Sequence, residues 1–204
     1  MLNEKDIVRI AVLVSGNGTN LQALIDAAAK ENLGNGKIVK VISSNADAYA
    51  VIRAKKAGID TEIIPKTDFD NQNKYDQALL SALQQCGAEL VVLAGFMSIL
   101  DNDIIDFYKN RIINVHPSLI PSFCGKGYYG LKVHTEALKK GVKVTGATVH
   151  YVNEIPDGGE IILQKAVDVL DGDTPQTLQR RVMEQAEWEI LPKAVLMLCN
   201  QYKK

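Results

Sequence analysis

Apolar residues fill almost every position from 7 to 14, and the same density returns over residues 90–94, while a shorter apolar run at Ile112–Ile113 leads into the strand read over 111–116. Short apolar runs bounded by turn formers read as strands covered on both faces, as in parallel sheets. Between them the apolar positions take helical spacing. Leu21, Leu24 and Ile25 mark a first helix, which Thr19 or Asn20 is placed to cap. Residues 48–57 form a second helix closing on Gly58, and residues 71–85 a third, with Tyr75, Leu79, Leu80 and Leu83 on one side. Residues 38–43 and 61–64 are further strands, the latter stopped by Pro65, and Asp101 caps a helix over 103–108. This alternation with short connections predicts an α/β fold, a doubly wound and mostly parallel sheet with right-handed crossovers.

After Pro117 the pattern changes. Residues 117–131 are rich in glycine and aromatics without periodicity and read as a loop, whose length and glycines fit a lid. A helix follows over 133–140. Residues 144–152 then alternate small or polar with apolar, and Asp157–Gly158–Gly159 turns them into a strand over 160–169, an antiparallel C-terminal hairpin. Thr174 opens a long C-terminal helix to about Asn200, with Pro192 the expected place for a kink. No linker, repeat or low-complexity stretch divides the chain, so residues 1–204 read as a single domain.

The strand over 111–116 carries the first candidate chemistry. Alternation puts Asn114 and His116 on one side of it, and Pro117 ends the pairing just beyond. Both therefore stand at a strand's carboxyl end, where ligands collect in open α/β sheets. A carboxamide is a fixed neutral donor and an imidazole exchanges protons near neutral pH, a pairing suited to a carbonyl that becomes a tetrahedral oxyanion. An isolated strand-end histidine would more simply cap backbone groups. Ser15–Gly16–Asn17–Gly18–Thr19–Asn20 is a glycine-containing strand-to-helix turn whose free N–H groups suit a small phosphate on Gly18, Thr19 and Asn20. It is neither a dinucleotide fingerprint nor a P-loop. Asp157 is either plain turn chemistry or a carboxylate brought beside His116. His134 begins a helix near the loop, where it can touch ligand; His150, in the hairpin, reads as structural. Three dispersed histidines make a poor metal site, so none is expected.

Charge and cysteine usage narrow the partners. The 23 basic and 24 acidic residues leave a net charge of −1, with no surplus for a nucleic-acid backbone. Cys86, Cys124 and Cys199 form no CxxC pair, which fits a reducing cytoplasm. The opening Met1–Leu2–Asn3–Glu4–Lys5–Asp6 lacks a signal-peptide pattern, and no run is long enough to span a membrane. A cytoplasmic protein is expected.

Together SGNGTNLQAL at 15–24, SSNADAYA at 43–50, VVLAGFM at 91–97, INVHPSLIPSF at 113–123, and GATVHYV with DGGEIILQ across 146–164 resemble the phosphoribosylglycinamide formyltransferase family, over nearly the whole chain. The resemblance implies a Rossmann-like formyltransferase fold. It further implies transfer of a formyl group from 10-formyltetrahydrofolate, a co-substrate, to glycinamide ribonucleotide in purine synthesis. Asn114, His116 and Asp157 match the family's catalytic trio, Asn114 as the oxyanion donor and His116 with Asp157 as charge stabiliser and proton relay. Gly18, Thr19 and Asn20 match its phosphate turn, and Glu187 its last-helix carboxylate, which binds substrate. Met97, Ser98, Ile99 and Leu100, with Asn153, Glu154, Ile155 and Pro156, match the walls of its folate pocket. Ser98 stands where many relatives have arginine, and Gln72 falls near another basic position. The loop over 124–130 is longer than in well-known members, and His134 is the single histidine where others have two. Competing expectations are a formyltetrahydrofolate hydrolase, another folate-dependent formyltransferase, or a non-catalytic binder. A monomer or a homodimer is expected.

Overall fold

The computed structural model describes residues 6–202, so the opening stretch Met1–Lys5 lies outside the described residues. Strand β1 (Val8–Val14) pairs in parallel with β2 (Gly36–Ser43) on one side and β4 (Leu90–Leu93) on the other. β3 (Thr61–Ile63) extends the sheet beyond β2, and β5 (Ile112–His116) beyond β4, both parallel. β6 (Val144–Tyr151) and β7 (Ile161–Asp168) complete it antiparallel, giving the order β3-β2-β1-β4-β5-β6-β7. The chain winds outward from β1 to β3 and then crosses back to β4. The crevice at the carboxyl ends of β1 and β4 is thus a topological switch point, the place where such sheets bind ligands.

Helices cover both faces, which is why the inner strands carry so few polar residues. On one face α1 (Thr19–Ala29), α2 (Tyr49–Lys56) and α7 (Trp188–Tyr202) close a core containing Leu21, Leu24, Val51, Leu191 and Val195. On the other, α3 (Gln72–Gln85) and α4 (Asn102–Phe107) bury Tyr75, Leu79, Leu83, Ile104 and Tyr108. Each large side chain so removed from water contributes about 1.5–3 kcal/mol. Asn71 caps α3 and Asp101 caps α4 through their side chains, the latter as the sequence predicts.

The expected cap of α1 is corrected. Neither Thr19 nor Asn20 caps α1. Gly18 holds that place at φ 69°, with no side-chain cap, and Asn20 turns inward instead. The strand over 144–151, which alternates small or polar with apolar residues, is buried at all but its two end positions, because β6 lies between β5 and β7 with core against it. The final helical stretch runs on through Pro192, which sits inside α7. Its irregularity is a π turn at Met183–Glu187, between α6 (Pro175–Val182) and α7. The wider turn lets Ala186 and Glu187 both face inward. Thr174 does open α6, in a capping box with Thr177, and α5 (Leu131–Lys140) starts two residues ahead of expectation.

Candidate active site

Asn114 and His116 stand on one face at the end of β5, as alternation requires. β6 answers them across the ladder, with His150 opposite Asn114 and Thr148 opposite His116. The hairpin turn after β6 then folds back over the same spot. Asp157, at φ 57°, reaches His116 with Oδ2 3.4 Å from Nδ1, and its Oδ1 lies 3.6 Å from Nε2 of His150. The turn can lie so close because Gly159 has no side chain: a Cβ there would stand 1.8 Å from the Tyr151 carbonyl oxygen. Asp157 Oδ2 also accepts the Gly125 N–H at 2.8 Å, tying the loop after β5 to the hairpin.

That loop is ordered by polar contacts that composition does not reveal. Ser118 Oγ donates to the Ser122 carbonyl, and Thr148 Oγ1 donates to the Ser118 carbonyl while accepting the Ile120 N–H. The path brings the Phe123 carbonyl to 2.9 Å from His116 Nε2. A carbonyl only accepts, so Nε2 carries the proton, and Nδ1 facing Asp157 is the position left to gain or lose one. Burial pushes the His116 pKa down, against the pull of the Asp157 carboxylate. Burial also pushes Asp157 up, but the contacts with His150, His116 and the Gly125 N–H together hold it below the usual carboxylate range. Two opposing pulls therefore meet on the ring: burial favours its neutral form, and the carboxylate beside Nδ1 favours its charged form.

A cleft of about 570 Å³ opens over Asn114, His116 and Asp157. One end reaches Thr19, Asn20 and Glu187; the opposite wall is Gly95–Ile99 with Pro156, and the loop after β5 contributes residues 125–130. Asn20 Nδ2 donates to Glu187 Oε2 at 2.6 Å, while Asn20 Oδ1 is buried without a hydrogen-bond partner. Burial lifts the Glu187 pKa from 4.5 to about 7, with the Asn20 contact pulling the other way. Gly18, expected beside Thr19 and Asn20, is not among the residues lining the cleft; a Cβ on it would come 2.5 Å from that of Ala50. A recess of about 150 Å³ adjoins the cleft, lined by Phe96, Ser98–Leu100 and residues 152–157. Ser15 Oγ, which accepts the Met97 N–H at 2.9 Å, pins one wall of it to the end of β1. A separate groove of about 520 Å³ between α1 and α7 shares Thr19 but holds none of the trio.

Residues 8–195 match the formyl transferase family. Phosphoribosylglycinamide formyltransferase of Escherichia coli (strain K12) is 41% identical over 188 residues, which cover 92% of this chain and 85% of that protein. The chain belongs to the formyl transferase family, on its phosphoribosylglycinamide formyltransferase branch. It is also 42% identical over 197 residues to the trifunctional purine biosynthetic protein adenosine-3 of Homo sapiens, of which it spans 19%. Glycinamide ribonucleotide transformylase 1 from Symbiobacterium toebii superposes with a TM-score of 0.91 at 40% identity, over 98% of this chain and 92% of that one. Phosphoribosylglycinamide formyltransferase from Brucella melitensis gives 0.86 at 38%, over 95% and 96%.

Within this formyl transferase the structure gathers Asn114, His116, Asp157, Thr19, Asn20 and Glu187 around one cleft, and Ser98–Leu100 with Asn153–Pro156 around its recess. Two expectations fail. His134 does not reach the cleft; it is fully buried in α5 with neither ring nitrogen hydrogen-bonded, and burial lowers its pKa to about 4. His150 is no distant structural residue, since it touches both Asn114 and Asp157. Its place in the GATVHYV stretch, opposite Asn114 once β5 and β6 pair, was the available signal. The Phe123 carbonyl and the Gly125 N–H left no signal, being backbone groups. No helix among the described residues is long and apolar enough to cross a membrane.

Proposed function

We propose that this chain transfers the formyl group of 10-formyltetrahydrofolate to the amino group of glycinamide ribonucleotide, in one domain spanning residues 1–204 of a cytoplasmic enzyme. The reading is carried by one observation: a carboxamide donor, a buried imidazole and a carboxylate meet at the floor of a cleft with a polar end and an adjoining recess. The uncapped start of α1, with Thr19 and Asn20, suits the ribonucleotide phosphate, and Glu187 suits its hydroxyl or amino groups. The recess suits the flat pterin of the folate.

The mechanism follows from where protons already sit. As the amine attacks the formyl carbon, an N–H of Asn114 donates to the oxygen that gains charge. The amine's proton passes, directly or through water, to His116 Nδ1. The imidazolium so formed has both N–H groups received, one by the Phe123 carbonyl and one by Asp157, and it faces the oxyanion with its positive charge. When the adduct collapses, the same proton goes to the departing folate nitrogen, and the carbon–nitrogen bond to folate breaks. Alignment of the two substrates in the cleft supplies much of the remaining acceleration.

A spectrophotometric formyl-transfer assay with and without glycinamide ribonucleotide tests the reading. Folate turnover should require the ribonucleotide. Equal turnover without it would make the protein a hydrolase, and no turnover in either condition would overturn the activity. His116→Ala should abolish turnover while substrate binding persists, whereas unchanged turnover would remove His116 from the chemistry.

A further inference from the structure

We infer that His150 is a positioning residue for Asn114, selecting the one carboxamide orientation that presents an N–H to the reacting oxygen. The inference rests on the formyl-transfer reading only for what that N–H does. The orientation itself stands on geometry. His150 is 2% exposed, so water does not compete for its nitrogens. Its Nδ1 lies 2.7 Å from the Tyr151 carbonyl oxygen, which can only accept, so Nδ1 carries a proton; in the neutral ring Nε2, which also lies 3.6 Å from Asp157 Oδ1, then offers a lone pair. Asn114 Nδ2 lies 3.2 Å from Nε2 and donates to it in that state.

An asparagine carboxamide has nearly the same shape in its two flipped orientations, and only its partners distinguish them. Turned over, Asn114 would set its carbonyl oxygen against the Nε2 lone pair of His150, acceptor against acceptor, beside the Asp157 carboxylate. As observed, one N–H is spent on His150 and the other stays free. Asn114 is half-buried where the cleft and the recess meet, so this second N–H serves the space between the two substrates. The cross-strand register that puts His150 opposite Asn114 holds the acceptor on the sheet rather than on a loop. His150 does not touch the reacting atoms; it acts through Asn114.

The test pairs kinetics with a measurement that needs no activity. His150→Leu fills similar space without an acceptor, while His150→Gln returns an oxygen near the position of Nε2. In His150→Leu, kcat should fall by about tenfold to a hundredfold with KM for both substrates within about threefold of wild type. In His150→Gln, kcat should recover at least about tenfold of that loss. In the unliganded protein, the Asn114 side-chain amide resonances, assigned by their disappearance in Asn114→Asp, should shift in His150→Leu and return in His150→Gln. The proposal is overturned if His150→Leu keeps kcat within about twofold, if folded His150→Gln is as impaired as His150→Leu, or if the Asn114 resonances do not move. A wild-type protein that fails to transfer formyl would instead remove the functional reading, while the resonances still judged the orientation.

Discussion

Replacing Glu187 by Gln should make the protein more stable and a worse catalyst. The carboxyl is 6% exposed, and its pKa moves from 4.5 to about 7 as burial penalises the charge. A raised folded pKa means that the native state binds the proton more tightly than the unfolded chain does. Stability is then greatest at low pH and declines as pH rises through about 4.5 to 7. At about 1.4 kcal/mol per unit, the ionised group costs about 3 kcal/mol at pH 8. Gln removes that cost and keeps the acceptor for Asn20 Nδ2. Its own N–H₂ can also reach the Asn20 Oδ1 that lacks a partner. For a chain of this size each kcal/mol shifts Tm by about 2–4 °C, so Glu187→Gln should melt about 6–12 °C higher at pH 8. Most of the gain should vanish at pH 5, where the wild-type carboxyl is already protonated in the fold. KM for the ribonucleotide should rise about tenfold or more, since a charge-assisted contact is lost. Thermal melts at the two pH values decide it. A gain of equal size at both, or a loss at pH 8, would refute the argument that the buried charge is the source.

His134 works in the opposite direction. Its folded pKa of about 4 lies below the ordinary 6.5, so the unfolded chain takes the proton first. Stability is intact above about pH 6.5 and is lost, by about 3 kcal/mol, as pH falls toward 4. His134→Leu should flatten that part of the curve in denaturant titrations at pH 7 and 5, and an unchanged slope would count against it. Gly18→Ala should destabilise by about 1–3 kcal/mol, from its clash with Ala50 and its left-handed backbone. Adding Ala50→Gly should recover only part of the loss in chemical denaturation, because the φ strain remains; full recovery would mean that the backbone term is negligible.

Local pattern alone determined much of this protein. Continuous apolar runs and helical spacing located most strands and helices, and alternation within β5 placed Asn114 and His116 on one face. Pro117 and the glycine turn after β1 put both candidate loops at the carboxyl ends of strands. What the pattern could not carry was contact between residues far apart in the chain. Asn20 meets Glu187 across 167 positions, and His116 acquires Asp157 only because β6 pairs antiparallel with β5 and its hairpin turns back over the cleft. Periodicity records which way a side chain points from its own element, not what the next element brings opposite it. His150 and His134 exchanged their expected roles for that reason: strand register carried one to Asn114, and helix packing buried the other. The wide turn at Met183–Glu187 likewise answers to packing, since a carboxylate on a helix reads as solvated until the tertiary fold turns it inward.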